Sequence, residues 1–176
     1  MGTVVLGWDV DRGTRWVPPY DHALTQSTLS GEVTAPWHLG VGRVPAPGTV
    51  VHLMLQGHTR GLVGRGIVRS APFVAGATDH PGTVGTHVLV EWDRLLPIDQ
   101  RIGCERLAGQ IPEMNWAGVY TDVLEVPDEI GARLDQLWEH PHAGLVDLAS
   151  RWATWPLDGA RALLTQVTRT LPTAHR

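Results

Sequence analysis

Residues 61–70, GLVGRGIVRS, set three glycines, Gly61, Gly64 and Gly66, inside a stretch that otherwise reads as a strand, and this run restricts the fold more than any other. A glycine inside a strand forgoes side-chain packing, so its recurrence points to strong twist, a bulge or the close approach of another backbone. The preceding run, residues 49–55 (TVVHLML), is a strand by its β-branched content, and residues 56–60 (QGHTR) make the pair a hairpin. By alternation Val63, Arg65, Ile67 and Arg69 share one face of the second strand, with Leu62, Gly64, Gly66 and Val68 on the other. Such a hairpin suits a curled, closed sheet better than a flat one.

Further strands are expected near the N-terminus (TVVLGWDV), over residues 87–93, where Val88, Val90 and Trp92 share a face, and over residues 119–125. Residues 21–29 suit a short helix with Asp21 placed as a cap and Gly31 as its stop. Ala35-Pro36-Trp37-His38-Leu39-Gly40 then leads into a surface loop, VPAPGT, where Pro45 and Pro47 forbid helix. Pro127-Asp128-Glu129 opens a second helix, on which Ile130, Leu134, Leu137 and Trp138 form the 3.6-residue stripe. Two more helical segments are expected at 143–152 and 157–171, separated by Trp155-Pro156.

The 176 residues, 43% hydrophobic and 18% charged, suffice for one domain with an appendage. No apolar run approaches the roughly 20 residues of a membrane helix, and the first residues lack a basic region followed by an apolar one, so a cytoplasmic protein is expected with no membrane partner. The one cysteine, Cys104, has no ligand neighbours at metal spacing and reads as core. All 14 basic residues are Arg, a bias that a GC-rich genome produces by itself, although the planar fork also suits phosphates and bases. The net charge of −4 is unevenly spread. Between Glu32 and Asp79 lie Arg43, Arg60, Arg65, Arg69, His38, His52 and His58 and no acid, whereas 13 of the 18 acids fall from Glu91 to Asp158. The first stretch is expected to face a phosphate backbone and the acidic half to face away.

Catalytic motifs are missing. Gly61-Leu62-Val63-Gly64-Arg65-Gly66 does not match G-x-G-x-x-G, and there is no phosphate-binding G-x-x-x-x-G-K-[ST], no H-E-x-x-H, no C-x-x-C and no G-x-S-x-G. His140-Pro141-His142 brings two imidazoles together without a third ligand nearby, which is weak grounds for a metal. Neither a catalytic residue, a metal nor a cofactor is expected. Eight tryptophans carry more content. Trp92 and Trp138 occupy periodic core positions, whereas Trp16, Trp37 and Trp116 fall in segments that read as loops, where an aromatic either plugs the sheet or stacks on an extruded base. Asn115 beside Trp116 has the two-sided amide that reads a base edge, with Tyr120 and Asp93 as further polar candidates.

In order, LGWDVDR, YDHAL, PWHLGVGRVPAPGTVVHLMLQG, RGLVGRGIVRS, HVLVEWD and VPDEIGARLDQLWEH resemble a PUA-like domain close to the EVE group, as found N-terminal to HNH nucleases of the McrA type. The resemblance covers roughly residues 3–140. Trp37-His38-Leu39-Gly40 stands for the family's tryptophan, small residue and glycine, and Pro47-Gly48-Thr49 for its proline-glycine-aspartate turn, with His38 and Thr49 departing from pattern. Asn115-Trp116-Ala117-Gly118 stands for the later tryptophan loop. The resemblance implies an α+β fold, a small twisted β-barrel flanked by helices over residues 1–140 with a helical extension over 141–176. It also implies a non-catalytic reader of double-stranded DNA that flips a modified base, 5-methylcytosine or 5-hydroxymethylcytosine, into an aromatic pocket within a restriction or defence system. On that reading Trp37, His38, Asn115, Trp116 and Tyr120 form the pocket, and Arg43, Arg60 and Arg65 hold phosphates. Residues 141–176 carry no H-N-H motif, so an HNH nuclease domain or chain is the expected partner. The alternatives are an RNA reader, or a nucleoside-like small-molecule site or enzyme on the same barrel.

Overall fold

The computed structural model describes residues 2–12, 16–40, 43–76 and 84–140. The strands are β1 (Thr3–Trp8), β2 (Val33–His38), β3 (Val50–Leu55), β4 (Gly61–Val68), β5 (Phe73–Gly76), β6 (Val84–Leu95), β7 (Ile102–Gly103) and β8 (Val123–Val126); the helices are α1 (Tyr20–Ser30), α2 (Cys104–Gln110) and α3 (Asp128–Glu139). The main sheet runs β2-β6-β4-β3-β1-β8, with β5 paired to β6 and β7 to β4. β1 and β3 are parallel, joined by a crossover through α1 and β2, and the remaining pairs are antiparallel. Met1–Glu139 forms one compact unit. The helices expected at 143–152 and 157–171 lie outside the described residues.

The three glycines of β4 act as their spacing suggests. A Cβ on Gly66 would stand 2.5 Å from the Glu91 carbonyl oxygen and 3.0 Å from Trp92 Cα, so β4 and β6 approach too closely there for any side chain. The β4–β6 register shifts between Arg65 and Gly66, and the β3–β4 register between Leu53 and Met54. These bulges break the simple alternation expected along β4 and bend the sheet.

Bending wraps the sheet around one face. Val33, Ala35 and Trp37 of the edge strand β2 share a buried cluster with Val123 of the opposite edge β8, and with Leu6, Leu53, Val63 and Trp92 between them. The other face carries Val5, Met54 and Leu62 and is covered by Leu107 of α2, by Trp116, and by Leu134 and Trp138 of α3. Curling brings the two edges together at one point, where a Cβ on Gly40, just past β2, would overlap the Asp122 carboxylate, just before β8. Among the described residues no ladder joins β2 to β8, so the eight-stranded sheet is open and the closed barrel is not found. The edges themselves are poorly equipped for closure: β2 carries Pro36, which has no N–H to donate, and β8 is four residues long.

Aromatic rings fill the concave side. Trp16 stands at the centre, with ring centroids 6.0 Å from Trp8, 5.1 Å from Tyr20, 5.5 Å from Trp37 and 5.3 Å from Trp92, several of them edge to face. The Tyr20 hydroxyl donates toward Leu96 O at 2.7 Å, with Val63 O at 3.1 Å, which ties α1 to the sheet, and burial pushes its pKa up. Pro19, not Asp21, precedes α1 at the cap position; Asp21 sits in the first turn, where its charge still suits the helix dipole, and Gly31 ends the helix in the left-handed region at φ 84°. No helix among the described residues is long and apolar enough to cross a membrane.

Because Trp16 touches four rings, Trp16→Ala is expected to lower unfolding free energy by about 3–5 kcal/mol in urea titrations. Val44→Ala, at a 42%-exposed position on the surface loop, should change it by no more than about 0.5 kcal/mol. A Trp16→Ala cost below about 1 kcal/mol would show that the cluster does not hold the curled sheet together.

Candidate functional site

Folding redistributes the charge that the sequence separates. Arg43 pairs with Glu125 at 2.8 Å, Arg69 with Glu91 at 2.5 Å, and Arg65 with both Asp93 and, at 2.8 Å from its Nε, Asp135. Acids that were expected to face away from the basic stretch therefore neutralise three of its four arginines. The cause is sheet pairing: β6 lies beside β4, so Glu91 and Asp93 come to the arginines of β4, and α3 brings Asp135 from the covered face. A phosphate on Arg43 or Arg65 would have to displace a carboxylate.

Arg60 is different. Its Nε donates to Gly57 O at 3.2 Å and its Nη1 to Ala117 O, and its Cζ lies 3.6 Å from the centroid of the Tyr120 ring. Tyr120 is 70% exposed, so the Arg60–Tyr120 stack stands at the surface. Beside it opens a cleft of ≈ 440 Å³ lined by His58, Arg60, Arg101, Cys104, Glu105 and Ala117. Arg101 reaches it through the short β4–β7 pairing, Gly61 with Gly103 and Leu62 with Ile102, and donates from Nε to Arg60 O and from Nη1 to Ile98 O, both at 3.2 Å. Gly61 is required there, since a Cβ would stand 2.6 Å from Ile102 O. Among the described residues neither Arg60 nor Arg101 has a carboxylate within ion-pair range. Burial pushes the Cys104 thiol pKa up, and the two nearby guanidinium groups oppose that shift.

The residues expected to form one pocket divide between the two faces. Trp37 belongs to strand β2, not to a loop, and is fully buried on the concave side. His38 packs its ring 5.0 Å from that of His87 and over Gly85. Trp116 lies in a 3-10 turn, fully buried in the cluster on the other face, with its indole N–H donating to Ile111 O at 2.9 Å. Trp37 and Trp116 are thus not facing walls of one slot. Asn115, Ala117 and Tyr120 flank Trp116 on one surface loop; Ala117 and Tyr120 meet Arg60, and the Asn115 amide packs over Gly118, where a Cβ would stand 2.7 Å from Nδ2. Sequence reasoning missed Arg101, because the two-residue strand that carries it to Arg60 has no pattern of its own. Cys104, expected in the core, is half-buried at the cleft.

A second polar cluster lies under α3. His52 is fully buried on β3 with Nε2 3.3 Å from Asp135 Oδ1, an ion-pair distance without hydrogen-bond alignment. The His52 contact, and then Arg65, hold the Asp135 carboxyl below its ordinary pKa against the effect of burial, while burial pushes Asp93 up despite Arg65. Among the described residues no group of three or more His, Cys, Asp or Glu is placed to hold a metal. No protein-family model matches the chain, and no curated protein matches it.

A carboxyl with a depressed folded pKa adds stability above its unfolded pKa, near 4, and loses it as pH falls through the folded value; a raised one behaves oppositely. Asp135→Asn is therefore expected to flatten the acid limb of the stability curve below about pH 4, read as urea midpoints across pH. An acid limb as steep as that of the unsubstituted chain would show that Asp135 is not the linked group.

Proposed function

We propose that this chain recognises DNA carrying a modified base, 5-methylcytosine or 5-hydroxymethylcytosine, and does so without catalysing a reaction. The observation that carries the proposal is the Arg60–Tyr120 stack: an exposed aromatic ring beside two arginines that have no carboxylate partner among the described residues. Nucleic acid needs both elements. Phosphates supply affinity through cations, and an unstacked base recovers part of its lost stacking energy on a flat ring. The resemblance over residues 3–140 supplies the choice of ligand, and the open, curled sheet with helices on it accords with that resemblance at the level of a mixed α/β fold. In this reading the base lies against the free face of Tyr120, Asn115 supplies edge contacts from the same loop, and Trp37 and Trp116 act from beneath as framework.

Equilibrium binding to matched duplexes carrying cytosine, 5-methylcytosine, 5-hydroxymethylcytosine or N6-methyladenine, at one near-physiological salt concentration, tests this. The expected result is at least a tenfold preference for one modified-cytosine duplex, about 1.4 kcal/mol. Tyr120→Ala should remove that preference, whereas Arg60→Ala should weaken all duplexes alike. Uniformly weak binding to duplexes with tight binding to single-stranded RNA would replace the proposal with an RNA reader. A free nucleoside bound as tightly as the duplex would replace it with a small-molecule site.

A further inference from the structure

We infer that the cleft between the β3–β4 turn and the start of α2 holds one phosphate of the nucleotide whose base lies on Tyr120, through Arg60 and Arg101 together. This rests on the nucleic-acid reading above and adds to it a second arginine, a location and a ligand group. Three features converge there. Arg60 spends Nε and Nη1 on backbone carbonyls, while its Nη2 is buried with no hydrogen-bond acceptor among the described residues, a charged donor left unmatched there. Arg101 likewise spends Nε and Nη1 on the carbonyls of Arg60 and Ile98, so carbonyl dipoles hold both guanidinium groups in place without cancelling either charge. Both line one cleft with His58, and the one carboxylate on its lining, Glu105, forms no ion pair with either among the described residues.

Two cations fixed beside one cleft repel each other, and an anion between them removes that cost. Elsewhere the fold supplies the anion itself, as Glu125 does for Arg43, Glu91 for Arg69, and Asp93 and Asp135 for Arg65. At Arg60 and Arg101 no described residue does so. A phosphate oxygen accepts from the guanidinium N–H groups that the carbonyls leave unused, and because Arg60 rests on Tyr120, a phosphate held there lies within one nucleotide's reach of a base on that ring. The site therefore takes a base together with its own backbone phosphate, which separates it from a nucleoside pocket.

The test uses oligonucleotides in which each phosphate near the modified base is replaced singly by an uncharged methylphosphonate. On the unsubstituted protein one such replacement is expected to lower affinity about tenfold and the salt slope by about 0.9. Arg101→Gln should produce the same loss on the all-phosphate strand, equally for modified and unmodified sequences, and the critical methylphosphonate should then cost nothing further. Arg133→Gln, at an exposed arginine of α3 that pairs with Glu113, should leave all of this unchanged. If the critical methylphosphonate still costs the full factor in Arg101→Gln, or if no single replacement matters, the phosphate site is overturned while the reader stands. If no nucleic acid binds at all, the reader itself falls. Titration with inorganic phosphate then decides the cleft independently: stabilisation that Arg101→Gln abolishes retains an anion site, and its absence overturns it. The methylphosphonate series on the unsubstituted protein keeps the inference open to refutation if Arg101→Gln fails to fold.

Discussion

The concave side of the sheet is filled by rings, and most of the architecture follows from that. Trp8, Trp16, Tyr20, Trp37 and Trp92 come from β1, a connecting segment, α1, β2 and β6, so one cluster ties together elements far apart in sequence. Each favourable ring pair adds about 0.5–1.5 kcal/mol beyond its buried area, and six such contacts link these five residues. Among the described residues the indole N–H groups of Trp8, Trp16, Trp37 and Trp92 have no acceptor, so the tryptophans contribute apolar area and ring geometry, and the Tyr20 hydroxyl supplies the hydrogen bonds of the cluster. Rings of this size need a deep concavity. The glycines of β4 provide it, by letting β4 and β6 approach at Gly66 and so bending the sheet around the cluster.

The second face has a different logic. There helices cover the sheet, and burial forces charged groups to be matched: Arg65 reaches Asp93 along the sheet and Asp135 across to α3, and His52 lies beneath the same carboxylate. Removing one partner of a part-buried pair leaves the other unmatched, which costs more than the pair contributes. α3 is thereby registered on β3 and β4 by charge, while Leu134 and Trp138 supply the apolar contact, and Gly131 allows close approach where a Cβ would stand 2.5 Å from Thr3 Oγ1.

Much of this was legible in the residues. The strands at β1, β3, β4 and β6, the helices α1 and α3, the stop at Gly31 and the bend at the β4 glycines all have local causes: β-branched runs, a 3.6-residue stripe and glycines where a Cβ does not fit. β2 was hidden by Pro36, although Val33, Ala35 and Trp37 alternate inward as a half-buried edge strand requires. The site was less legible, because both of its determinants are non-local. Which arginines remain unneutralised depends on strand order, and charge counted along the chain placed Arg43, Arg60 and Arg65 together when, among the described residues, carboxylates pair with Arg43 and Arg65 and not with Arg60. A tryptophan next to proline or glycine reads as a loop residue whether it faces solvent or, like Trp37, the core.

The division between framework and surface aromatics has a physical basis that bears on how such a chain could read a base. A tryptophan buried among other rings is expensive to move, since withdrawing it opens a cavity and breaks several contacts at once. A tyrosine that is 70% exposed and braced from one side by a guanidinium costs almost nothing to use, because its other face already meets water and its orientation is already fixed. The bracing is itself layered. Arg60 is anchored by the carbonyls of Gly57 and Ala117, Ala117 belongs to the turn that the buried Trp116 pins through Ile111, and Arg101 is set beside Arg60 by the β4–β7 pairing that Gly61 permits. The rigid core thus reaches the surface through backbone hydrogen bonds, and it presents there a flat ring and two cations held in place by the fold itself.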